Sequence, residues 1–378
     1  MHFTGGLKNI LSLGASNLIY SIIYGVFWLY LATILEKAEY GELGFLMSLA
    51  NVGSVVALLG LATTVVVYES KNENVFPSSF ILVLIASAIS GAVSYVLLQN
   101  VVASFLIIGI SIFAMVLSGL NGKQRHRDYS IHTLIRAPAT VALAIILYNF
   151  FGINGILFGY LVTSLFVLKE LPSLLKNMKV NFSVLRPKVG FMVHSWSTRL
   201  AQILFWWGDK LLIGSLFGFS MLASYQFAAQ YLLLLETFPR SLSQYLVPQE
   251  SMGKKNKKLK IYSSMLASLI ALGSIAAIPY GINILLPEYY DSILPAQIMS
   301  IAIIPLSISM IQQSEFLGKE KSSIVLMGSV LQTGVYFLLI TWLGQSFGLM
   351  GIAIGFLTAA ILRTVFNLFT GLHMLQQE

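Results

Sequence analysis

Seven charged residues lie well inside the long apolar stretches of this 378-residue chain, away from their ends: Arg136, Arg199, Asp209, Lys210, Glu236, Arg240 and Arg363. A charge at the centre of a bilayer costs roughly 2.5–3.5 kcal/mol even on the lenient insertion scale, so each must face a wet cavity or a partner. Ser195, Arg199, Gln202, Trp206 and Asp209 follow alternating steps of four and three residues, which places them on one face of an α-helix. Gln226, Gln230, Thr237, Arg240 and Gln244 make a second stripe with Glu236 at its edge, and milder polar faces run through Asn17, Ser21, Tyr24 and Trp28 and through Arg363, Asn367 and Thr370. Such residues also join membrane helices by hydrogen bonds. That reading suits Glu236 and Arg240, one turn apart and able to neutralise each other. For a stripe that combines Arg, Gln, Trp and Asp over four turns, lining a wet cavity is the better account. The four arginines Arg136, Arg199, Arg240 and Arg363 leave a cationic excess, and a planar guanidinium fork reads phosphate best. Asp209 has two readings of equal weight, a coupling site for H+ or Na+ and a buried ion pair. Glu236 is the second acid in a position to couple. No cysteine is present and five histidines are dispersed, so no metal site is expected.

The elements that hold these residues are membrane helices. Hydrophobic residues make up 57% of the chain and charged residues 10%, with a mean hydropathy of +0.81, far from the balance of a water-soluble domain. Apolar runs of about 20 residues or more suit α-helical crossings. Twelve are expected, over 9–34, 42–68, 77–98, 101–120, 130–149, 153–173, 190–216, 220–247, 260–285, 292–314, 323–343 and 347–373. Of 23 Lys and Arg, 17 fall in alternate breaks between these runs or, as Lys169 and Lys260 do, at the run ends beside them, Lys37 alone falls in the other set, and five lie deeper inside runs. The side rich in cations is cytoplasmic, so both termini are expected there, and the first run reads as an uncleaved span. The basic run GKKNKKLK at 253–260 marks topology and touches anionic headgroups rather than nucleic acid.

FGINGILFGYL at 151–161 recurs as FGLMGIAIGFL at 347–357, and the Gly-Lys pair at 122–123 recurs at 318–319, both with an offset of 196. Two six-span halves are expected, 1–180 and 190–378, joined by a cytoplasmic linker at 181–189. An even number of spans per half relates the halves by an axis along the membrane normal. The expected fold class is therefore all-α and polytopic, two six-helix bundles of about twelve transmembrane helices in all. Every outside loop is short, which disfavours a membrane enzyme with catalytic carboxylates on a large loop.

LEKAEYGELGFLMSL at 35–49, DKLLIGSLFGFSMLASY at 209–225, RSLSQYLVPQES at 240–251, LPEYYDSILPAQIMSIA at 286–302 and the Gly-Lys break at 318 together resemble the polysaccharide transporter family, lipid-linked oligosaccharide flippases related to multidrug extrusion transporters. The resemblance implies a MATE-like fold and movement of a polyprenyl-pyrophosphate-linked oligosaccharide from the cytoplasmic to the outer leaflet of the cell membrane by alternating access. It places Asp209 at the family's acidic position in span seven and Gly41 at its first outside turn, while Ala223 stands where glycine is expected. Arg136, Arg199, Gln202, Trp206, Arg240 and Arg363 are then the substrate-binding candidates, with Trp28 and Trp206 available to stack on sugar rings. No cofactor is implied beyond a coupling ion, H+ or Na+. The expected partners are the lipid-linked oligosaccharide, membrane lipids and glycan-assembly proteins. The competing functions are a cation-coupled multidrug exporter, which the arginine excess disfavours, and a non-catalytic component of a polysaccharide assembly complex.

Overall fold

The computed structural model describes residues 3–176, 180–251, 257–319 and 321–375, which are helical with no strand among them. Hydrocarbon offers no partner to a free N–H or C=O, so a lipid-embedded chain must close its hydrogen bonds within each helix. In chain order the helices are α1 (Phe3–Ile34), α2 (Lys37–Leu58), α3 (Leu61–Glu69), α4 (Phe76–Leu98), α5 (Val101–Gly122), α6 (His126–Phe151), α7 (Ile153–Ser164), α8 (Leu171–Leu175), α9 (Val189–Ile203), α10 (Asp209–Phe217), α11 (Phe219–Ser251), α12 (Lys257–Leu285), α13 (Ile293–Ile301), α14 (Ile303–Gly318) and α15 (Ser322–Leu375). Eight stretches of the described residues are long and apolar enough to cross a bilayer. The last of them, Ser322–Gly371, is twice the required length and turns at Gly348.

By backbone packing the chain separates into two compact units: Met1–Tyr24 with Leu46–Gly208, and Gly25–Phe45 with Asp209–Glu378. In the first, α4 pairs with α5 and α6 with α7, while α5 also lies against α3 and α7. Leu61, Val65, Phe76, Met115, Leu120 and Val167 fill the space between them. Outward-facing Val96 and Phe150 are 72% and 74% exposed, as side chains bathed in lipid should be. Asn100 caps α5, its Oδ1 accepting from the Ala103 N–H at 2.9 Å. Buried Glu69 satisfies the start of α4, accepting from the N–H groups of Val75 and Phe76 at 2.8 Å each. On the side expected to be cytoplasmic, Arg125 joins Asp128 and Glu170 at 2.7 and 2.6 Å, and His132 Nε2 lies 3.2 Å from Glu170.

In the second unit α11 packs on α14, α14 on α15 and α12 on α13. The α2 segment lies so close to α11 that a Cβ on Gly41 would sit 1.9 Å from the Phe219 carbonyl oxygen and 3.1 Å from the Ala223 nitrogen. Gly41 is therefore fixed by close helix approach within α2 rather than by a turn. Lys37, the single cation of its side, meets Asp291 at 2.8 Å. Beneath that pair Tyr40 stands edge-on to both Trp28 and Tyr289.

Several of the expected spans are interrupted: span six turns 3-10 helical at Leu165–Glu170, and span ten breaks at Ala302 between α13 and α14. Span two breaks at Leu59 (φ 50°) and Gly60 (φ 73°), where a Cβ on Gly60 would lie 2.1 Å from the Met192 carbonyl oxygen. Span seven changes winding at Leu204–Gly208, a π-helical turn. The 196-residue repeat is visible in the backbone. Gly152 has φ 57°, ψ −140° and Gly348 φ 57°, ψ −138°. A Cβ on Gly155 would lie 2.1 Å from the Leu147 carbonyl oxygen, and one on Gly351 2.0 Å from that of Leu343.

Candidate functional site

In the first unit, α6 delivers Arg136 into a buried position. Its guanidinium lies over the Phe113 ring, 4.0 Å from the centroid, and Nη2 donates to Ser164 Oγ on α7 at 2.8 Å. One turn away Thr140 accepts from the Tyr24 hydroxyl at 2.8 Å and lies 2.7 Å from Thr163 Oγ1, with Tyr24 stacked on Tyr160. Pro138 sits inside α6 two residues after Arg136 and withholds a backbone N–H there.

In the second unit, Arg363 projects from the C-terminal arm of α15. Nη1 donates to Gln332 Oε1 and Nη2 to Ser329 Oγ at 3.0 Å, both on the N-terminal arm of the same hairpin. Neither Arg136 nor Arg363 touches a carboxylate among the described residues. Each keeps a buried Nε–H without an acceptor. Buried Glu236 acts electrostatically on Arg363. Arg240 lies in α11 but its side chain is outside the described residues, as are those of Asn17 and Gln244, and Lys254 and Lys255 of the basic run.

The stripe on span seven does not continue to Asp209 as one face. A π-turn carries one extra residue and rotates the residues downstream of it by about 100° relative to an unbroken α-helix. Ser195, Gln202 and Trp206 are half-buried and Arg199 is exposed, on the helix that belongs to the first unit. Trp206 lies edge-on to Phe205 at 5.1 Å. Asp209 instead belongs to the second unit and is 1% exposed. Its Oδ1 accepts from the Lys210 N–H at 2.7 Å, with Lys210 Nζ at 3.5 Å, and its Oδ2 accepts from the Tyr225 hydroxyl. Tyr336 in turn donates to Tyr225 at 2.9 Å. Periodicity gave no signal for these two tyrosines, which look apolar in a hydrophobic run.

Gln226 and Gln230 are buried on α11, and both polar atoms of the Gln226 amide lack a partner. Asn367 donates to Ser309 Oγ at 2.9 Å, which is a helix-joining bond. Trp28 is 4% exposed and covered by Tyr40, so it presents no free ring face. No group of His, Asp and Glu that could hold a metal ion occurs among the described residues.

A family model described as "Polysaccharide biosynthesis protein" matches residues 30–289, more than half of the chain. The chain belongs to this family. No curated protein matches it. Among solved structures, an inward-facing MATE-family multidrug resistance transporter of the MOP superfamily is similar over 97% of this chain and 95% of its own, with 15% identity and a TM-score of 0.64. The lipid II flippase MurJ in an inward closed conformation is similar over 96% of this chain and 80% of its own, also with 15% identity and a TM-score of 0.64. A MOP-superfamily transporter from Pyrococcus furiosus, noted for a binding pocket of reversed polarity, is similar over 98% and 96%, with 13% identity and a TM-score of 0.56. These likenesses show a MATE-like fold. The proteins that share it are transporters and a flippase, not enzymes, and this chain is a multi-pass membrane protein.

Proposed function

We propose that the protein is a flippase that carries a polyprenyl-pyrophosphate-linked oligosaccharide from the cytoplasmic to the outer leaflet of the cell membrane by alternating access. The observation that carries this reading is the pair of guanidiniums, Arg136 and Arg363, each with a buried N–H unfilled and no carboxylate in contact among the described residues. In a family of polysaccharide biosynthesis proteins, on a fold shared with a lipid II flippase, the anion they fit is a pyrophosphate. Arg199 and Arg240 supplement them, and Gln202 and Trp206 contact sugar. The proposal includes twelve spans in two six-helix halves, 1–180 and 190–378, with the linker 181–189 and both termini cytoplasmic. Asp209 is the coupling candidate for H+ or Na+, with Glu236 second, and glycan-assembly proteins are the partners. A multidrug exporter of cationic compounds would meet repulsion at the same arginines.

The test is translocation of a fluorescent lipid pyrophosphate saccharide in proteoliposomes. Arg136→Ala and Arg363→Ala are expected to impair transport severely at unchanged membrane abundance, and Arg→Lys to impair it partly, because Lys keeps the charge and loses the fork. Normal translocation by both Ala variants would end the anion reading.

A further inference from the structure

We infer that each half of the chain carries one anion station at the same place in its last helical hairpin, built from opposite helices, with Gln332 positioning the second guanidinium. The inference rests on the pyrophosphate reading above and adds the number and equivalence of the sites. Under the offset of 196, Gly152 corresponds to Gly348, Arg136 to Gln332, Thr133 to Ser329 and Val167 to Arg363. The matched turn angles and the matched approach of Gly155 and Gly351 to the preceding helix show that both hairpins keep the same register.

In the first hairpin the arginine stands on the helix before the turn and reaches across to Ser164. In the second, that position holds Gln332, and the arginine stands on the helix after the turn, reaching back to Gln332 and Ser329. Ser164 corresponds to Ala360, three residues before Arg363, so the two guanidiniums lie within one helical turn of the same crossing. The open valences also match. Arg136 and Arg363 each keep a buried Nε–H without an acceptor, and the Gln332 amide nitrogen is likewise unfilled. Burying a donor with no partner costs free energy, and a phosphoryl oxygen at each crossing would remove that cost.

Two measurements test this. In proteoliposomes, Arg363→Val should lower translocation about tenfold or more, the size of one lost charge-assisted hydrogen bond. Adding Gln332→Arg rebuilds the second hairpin on the plan of the first and should recover most of the rate. On the full chain in detergent, calorimetric titration with farnesyl pyrophosphate should show two sites. Arg363→Val should remove one and Arg136→Gln the other. A single site in the unmodified chain overturns the equivalence, as does a monodisperse Arg363→Val/Gln332→Arg protein no faster than Arg363→Val. Should that double variant fail to fold, the titration decides alone. If Arg363→Val and Arg136→Gln both transport normally, the pyrophosphate reading itself falls.

Discussion

Removing the hydroxyl of Tyr225 should reveal what the Asp209 carboxylate is worth to the fold. The carboxylate is buried and takes three contacts, from the Lys210 backbone N–H, the Lys210 ammonium and the Tyr225 hydroxyl. Tyr225→Phe leaves the first two and strips Oδ2 of the donor that faces it. A hydrogen bond to a charged acceptor contributes about 1.5–3 kcal/mol, and one between neutral groups about 0.5–1.5 kcal/mol. Tyr225→Phe should therefore destabilise the protein by about 2 kcal/mol where Asp209 is present, but by about 1 kcal/mol in an Asp209→Asn background. Tyr336→Phe, which removes a neutral bond to Tyr225, should cost about 1 kcal/mol, and its effect should shrink once Tyr225 is already Phe. Unfolding in mixed micelles titrated with SDS gives the four corners of each cycle. Equal costs for Tyr225→Phe in the two backgrounds would refute an ionised, hydroxyl-solvated Asp209. The same Asp209→Asn protein should lose its dependence on an ion gradient while still binding farnesyl pyrophosphate. Transport that still follows the gradient would make Asp209 a structural ion-pair partner.

Single cysteines introduced at Glu39 and Glu288 should react with an impermeant maleimide from outside, and those at Lys123 and Lys255 should not. External labelling at Lys123 would overturn the orientation. Along span seven, cysteine accessibility at Ser195, Arg199, Gln202 and Trp206 should follow a helical period that slips in phase after the π-turn at Leu204–Gly208. A profile that stays in one phase through Asp209 would contradict that turn, and a flat one would leave only helix-joining roles for the stripe.

The parts of this molecule legible in its sequence are those with a period or a sign. Helical runs, the duplicated hairpin and the segregation of Lys and Arg follow from a bilayer's demand for apolar length and from the cost of moving cations across it. Arg136, Arg363 and Asp209 stood out because charge inside such a run is expensive. Their partners did not stand out. Ser164, Ser329 and Gln332 are ordinary helix-joining residues until an arginine is seen to reach them, and Tyr225 and Tyr336 pass for apolar side chains. The stripe from Ser195 to Asp209 rested on uninterrupted α-helical winding, and one π-turn was enough to send Asp209 elsewhere. At the Leu59–Gly60 break the Met192 carbonyl passes too close for any side chain on Gly60, a long-range contact that no local pattern encodes.

The twin turns at Gly152 and Gly348 bear on how such a chain can drift over generations. Both lie near a region of backbone space that side chains cannot enter, so almost every substitution there should strain the backbone, and the nearby Gly155 and Gly351 are fenced in by a carbonyl. Between the two hairpins the arginine stands on opposite helices, Arg136 before the turn and Arg363 after it. A saturation mutagenesis survey scored by growth should show two sharply intolerant notches 196 positions apart, at Gly152–Gly155 and at Gly348–Gly351, beside those at Gly41 and Gly60.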